Sequence, residues 1–224
     1  MKTRLNATQV RRALLLIFAA LLANIGIGYV AEHVLRLPIW LDAIGTILVG
    51  ALLGPLAGAA VGAATNLLLG IVTGDQAALP FAITAAFIGW AAGYSALLGA
   101  FRRLWSAALA GLLVGIGAAL ISAPIEAYVF GNLAGEGAAY LAAFVDTAGA
   151  TIFQLVTVSG LIRDPLDKVI SFGVAWLLWR PLHTCFLPLT PTGLEPLQAL
   201  KGYTLAVLAT LLACLLYTSP SPRD

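Results

Sequence analysis

Apolar stretches of membrane-spanning length alternate along the chain with short charged or glycine-rich breaks. The first stretch, residues 13–31, follows Lys2, Arg4, Arg11 and Arg12 and predicts a helix. "EHVLRLP" (32–38) interrupts the pattern, and a second apolar run then extends from Ile39 to Thr73. As one helix it would be about 52 Å long, against a hydrocarbon core of about 30 Å, so it must break. Gly54-Pro55 is the place, because proline lacks an amide donor and clashes with the preceding turn. Two helices are therefore expected, about 40–53 and 56–73, in a tight hairpin. "GDQAA" (74–78) separates them from a helix over about 80–100, and "FRRLW" (101–105) precedes another over about 105–130.

Beyond "GNLAGEG" (131–137) the pattern is less regular. Residues 138–161 are long enough to cross a bilayer, but Asp146, Thr147 and Gln154 interrupt them. "RDPLDK" (163–168) reads as a charged helix boundary with local ion pairs, and an apolar run 169–179 ends at "WRPLH". Either 138–161 spans, or it is re-entrant or lies along the outer face. The second arrangement gives six spanning helices with both ends of the unit on one side.

Glycine recurs at 50, 54, 58 and 62, and again at 89 and 93. A spacing of four places such residues on one helix face, where small side chains let backbones approach closely in lipid. The second, third and fourth helices are thus expected to pack as one close unit.

Composition narrows the class. The chain is 61% hydrophobic and only 10% charged. Soluble domains carry about 25% charged residues, so this chain lacks the charge to coat a water-facing surface. The expectation is an all-α, polytopic membrane bundle of about six core helices. The runs do not alternate as β-barrel strands would. A net charge of +2 with no basic stripe offers nothing to nucleic acid. The basic residues before the first helix, and Arg102 and Arg103 later, predict a cytoplasmic N-terminus for a chain in the plasma membrane. The last eleven residues, "CLLYTSPSPRD", resemble the in-frame translation of a transposon-end sequencing adapter. The expected division is a basic N-terminus (1–12), a membrane domain (13–183), a linker with the start of a further hydrophobic segment (184–213) and an artefactual tail (214–224). Cys185 is then the one natural cysteine, and no disulfide follows.

Strongly polar groups inside membrane segments are expensive and mark sites. The candidates for substrate contact are Asp42, Asn66, Trp90, Glu126, Asn132 and Asp146. Each has a plainer role available: a helix N-cap for Asp42, an interhelical hydrogen bond for Asn66, core packing for Trp90. Catalytic patterns are not found. His33 and His183 are isolated, and there is no HExxH, CxxC or P-loop. No enzymatic activity, cofactor or metal is expected, and any ATP-driven work would fall to a partner chain.

The order of "LPIWLDAIGTILVGALLGPLAGAAVGAATNLLLGIVTG" (37–74), "LPFAITAAFIGWAAGY" (79–94), "ISAPIEAYVFGN" (121–132) and "SGLIRDPLDKVISFGVAWLL" (159–178) resembles the S components of energy-coupling factor transporters. The resemblance covers about 13–183. It implies a six-helix membrane protein that captures a vitamin or similar micronutrient in its outer half. It also implies a transmembrane T component and two ATPase subunits as partners. The family's AxxxA docking pattern on the first helix matches Ala19 and Ala23. Two other classes stay open on sequence grounds: a membrane sensor whose signalling domain followed, and a stand-alone secondary transporter, although no inverted repeat is visible.

Overall fold

Helix is the only regular structure among the residues described by the computed structural model, 7–37, 39–73, 78–130 and 152–186. Apolar surroundings favour this outcome, because a helix satisfies its backbone polar groups within itself. Helix α1 (Ala7–Tyr29) continues as a π-helical turn (Val30–Val34). Then come α2 (Ile44–Leu53), α3 (Pro55–Thr73), α4 (Ala82–Leu97), a 3-10 turn (Ala100–Arg102), α5 (Leu104–Phe130) and α6 (Ile152–Phe186). Among the described residues, three helical stretches, Ala7–Tyr29, Pro55–Val72 and Leu104–Glu126, are long and apolar enough to cross a membrane, which is compatible with a membrane location.

The hairpin forms at the expected residues. Helix α2 stops at Leu53, and Gly54 takes φ 100°, a value that favours glycine. Pro55 opens α3 at the first helical position, where its missing N–H leaves nothing unpaired. Helix α2 differs from expectation in length. Residues 40–43 lie outside the helix, 42 and 43 as a turn, leaving 10 helical residues, about 15 Å. Ile44 to Leu52 are all buried. A short helix that is apolar on every side belongs inside the bundle, and α1, α3, α4 and α6 surround it.

The glycines set the packing. A Cβ on Gly50 would lie 2.5 Å from the Gly89 carbonyl oxygen, and one on Gly93 would lie 2.5 Å from Pro55 Cα. Gly58 meets the Gly89 backbone, and Gly62 that of Ala85. Helices α2, α3 and α4 are therefore in backbone-to-backbone contact. The same contacts give direction: α3 runs antiparallel to α4, and α2 parallel to α4.

The expected boundary at 163–168 is corrected. Residues 152–186 form one helix of 35 residues, with "RDPLDK" inside it. The charges need not leave the bundle because they find partners there, and Pro165 fits because α5 offers it glycines. Gly115 abuts Pro165, Gly111 abuts Lys168 (2.6 Å from its carbonyl oxygen to an added Cβ) and Gly160 faces Ala119. Helices α5 and α6 are thus antiparallel, with Phe130 and Ile152 at the same end. Residues 152–161 are the start of α6, not part of a separate crossing. Leu16, Leu48, Leu52 and Phe186 form one buried cluster, so Ala7 and Phe186 share the opposite end.

Candidate functional site

The polar residues of this bundle fall into two groups. The first ties helices together. Asn24 is fully buried on α1. Its amide nitrogen donates to Thr46 Oγ1 at 2.9 Å and Thr65 Oγ1 at 3.0 Å, and its Oδ1 accepts from the Gly45 amide at 2.7 Å. Every contact is internal, so this knot fixes α1, α2 and α3 in register. Thr65, not its neighbour Asn66, supplies the α3 contact, and Asn66 is half-buried. The sequence offered one signal for Asn24: a lone amide inside an apolar helix.

The second group is charged. Positions 163, 164, 167 and 168 share one face of α6 at helical spacing. Asp164, Asp167 and Lys168 are buried there. Lys168 pairs with Asp167, and its Nζ lies 3.7 Å from Asp42 Oδ1. Asp167 Oδ1 also accepts the Leu41 amide at 2.9 Å. That bond holds the chain before α2, where Leu41 has φ 52°, an uncommon conformation for a residue with a side chain. Arg163 reaches in the other direction. Its Nη2 donates to Glu126 Oε1 at 3.4 Å, its Nε lies 3.7 Å from Asp164 Oδ1, and its guanidinium sits 5.2 Å from the centre of the Trp40 ring.

The network has a tight half and a loose half. Lys168 and Asp167 are 6% and 0% exposed, and both are fully engaged. Arg163 and Glu126 are 32% and 24% exposed and held at long distances, and the Arg163 Nε has no hydrogen-bond partner. Asp42 is the most accessible carboxylate, at 38%. These loosely held groups are the ones able to exchange an internal partner for a bound molecule.

An apolar groove of about 370 Å3 shares only Leu41 with these contacts, and none of the charged side chains lines it. Its walls include Ala23, Gly26, Ile27 and Val30 of α1 and its π-helical turn, with Leu35 and Leu41 of the connection to α2. Leu41 faces the groove, and Trp40 and Asp42 beside it face the charges.

The structure therefore brings two of the sequence candidates, Asp42 and Glu126, to one charged face of α6, where they pair with Lys168 and Arg163 respectively. Trp90 lies elsewhere. It lines a separate groove of about 400 Å3 on α3 and α4 with Ala59, Ala63 and Phe87, and packs edge-on to Tyr94. Asn132 and Asp146 lie outside the described residues. Ala19 is exposed on α1 and Ala23 is half-buried.

No protein-family model matches the chain, nor does any curated protein or solved structure.

Proposed function

We propose that the chain is the substrate-capture (S) subunit of an energy-coupling factor importer for a vitamin-sized micronutrient, with no catalysis of its own. One observation carries this reading. In a helical bundle that is otherwise mostly apolar, Asp42 and Glu126 each pair with a cation on one face of α6, Lys168 and Arg163, and both pairs are long with a partly exposed carboxylate. Ionisable groups placed this way in a membrane protein mark a ligand path by default.

Two further features support it. Arg11, Arg12, Arg102, Arg103 and Arg180 are exposed at the Ala7–Phe186 end, which favours that end as the cytoplasmic one and puts the network in the outer half. Helix α1 is the least buried of the three spanning candidates, with Leu14, Leu15, Phe18 and Leu22 all more than half exposed. That open face, with Ala19 on it, suits docking of a transmembrane T component, which with two ATPase subunits would drive import.

The test is native mass spectrometry of the full chain, purified in detergent from cells grown in rich medium. A retained vitamin-sized adduct is expected, lost in Glu126→Gln without loss of folding. A clean apo mass that persists after adding a vitamin panel overturns the reading.

A further inference from the structure

The described charges divide between the two ends of the bundle. The acidic residues Glu32, Asp42, Glu126, Asp164 and Asp167 all stand toward the Phe130–Ile152 end, together with Arg36, Arg163 and Lys168. The Ala7–Phe186 end carries Arg11, Arg12, Arg102, Arg103 and Arg180, all exposed, with no carboxylate described beside them.

Two of these arginines are brought to nearly one height. Gly115 abuts Pro165 and Gly111 abuts Lys168, so α5 and α6 run antiparallel in a fixed register. Two turns further on, that register sets Arg103 level with Trp176. Arg180, one turn beyond, folds back over Trp176, with its guanidinium 5.0 Å from the ring centre. The start of α5 closes on this part of α6: the Phe101 and Trp179 rings are 5.9 Å apart, and Leu104 Cδ1 lies 4.0 Å from a Cβ built on Gly173. From this height toward the opposite end, Leu109 and Leu113 on α5 and Ile170 and Leu177 on α6 are exposed. The Trp176 indole nitrogen finds no hydrogen-bond acceptor in the protein.

Uncompensated positive charge, an indole without an acceptor and an apolar column running away from both are the complement of a phospholipid, with its anionic head, its ester and phosphate oxygens and its acyl chains. Guanidinium groups suit the phosphate because they present paired N–H donors and keep their charge. A soluble acidic partner would match the arginines and leave the leucines uncovered. We infer that the seam of α5 and α6 binds an anionic phospholipid, its phosphate on Arg103 and Arg180 and its acyl chains along the exposed leucines. The site depends on the chain lying in a bilayer and not on what the chain captures.

The probe is dioleoylphosphatidylglycerol, with zwitterionic dioleoylphosphatidylcholine as the control of equal chain length. Each is titrated into the full-length chain in detergent and followed by native mass spectrometry and thermal unfolding. The anionic lipid is expected to bind about tenfold more tightly. Arg103→Gln and Arg180→Gln should each weaken it about fivefold, with a smaller effect on phosphatidylcholine, and the double variant should lose the preference. Both side chains are exposed, so the lipid-free variants should melt as the parent does. Arg11→Gln/Arg12→Gln removes as much charge from the same end, but from α1, and should weaken binding less than twofold. Equal binding of the two lipids, or a preference that survives in Arg103→Gln/Arg180→Gln, overturns the inference. An equal loss in the α1 pair overturns it too, since the preference would then belong to the diffuse charge of this end and not to a site.

Discussion

Replacing Gly89 with alanine adds one methyl group at the point where α3 and α4 touch. That methyl would collide with the Gly58 carbonyl and lie 2.8 Å from Thr46 Cγ2. Backbone on the far side cannot rotate away, so the helices must separate. Overpacking of this kind costs about 1–3 kcal/mol. Against it stands the helix-propensity gain of alanine over glycine, about 0.5–1 kcal/mol. At Gly26 the gain comes without the collision, because no atom lies within 4 Å of the added carbon. The same substitution should therefore stabilise at Gly26 and destabilise at Gly89, and since the propensity gain is common to both, the gap is the overpacking cost, roughly 1–3 kcal/mol. At roughly 2–4 °C per kcal/mol for a chain of this size, the two Tm values should differ by roughly 2–12 °C. Tryptophan fluorescence during heating of the purified variants in detergent measures this directly. Equal shifts at both sites, or a rise in Tm for Gly89→Ala, would refute backbone contact as the role of the glycine series.

Other substitutions probe the remaining polar features. Lys168→Met leaves Asp167 buried without its cation and should destabilise the fold by about 3–5 kcal/mol; the Asp167→Asn/Lys168→Met double variant should recover part of that loss in the same melt. Asn24→Ala strands the Gly45 amide and removes the donor that Thr46 and Thr65 accept from, an expected loss of about 1–3 kcal/mol by chemical or thermal unfolding. Gly54→Ala forces a side chain into φ 100°, which should cost about 1–3 kcal/mol and lower Tm. Glu126→Gln weakens only a long, partly exposed ion pair, so its stability should stay within about 1 kcal/mol of the parent while ligand binding is lost.

The helix hairpin was legible because Gly54-Pro55 acts locally: both residues restrict their own backbone wherever they stand. The glycine contacts were legible for a similar reason, since a spacing of four marks a helix face. The boundary at "RDPLDK" misled because a charged run containing proline normally ends an apolar helix. Here α5 supplies Gly111 and Gly115 to receive that stretch, and Asp42 and Glu126 supply counter-charges. None of those partners is near it in sequence. Asp42 and Glu126 stood out as isolated charges, but their union depends on how α2, α5 and α6 converge. Asn24 was overlooked beside Asn66 because both are single amides in apolar helices. Only the tertiary positions of Thr46 and Thr65 separate them.

The shortness of α2 bears on how the chain is made. A helix of about 15 Å reaches only halfway through the hydrocarbon layer, so it cannot stand alone in lipid once synthesised. Its neighbours arrive in sequence: α1 before it, α3 and α4 soon after, and α6 last. Leu48 and Leu52 pack against Phe186, which is synthesised more than a hundred residues later. Until α6 emerges, one side of α2 has no cover, and the nascent bundle is an incomplete intermediate. A chain stopped before residue 152 would leave Leu48 and Leu52 without that cover.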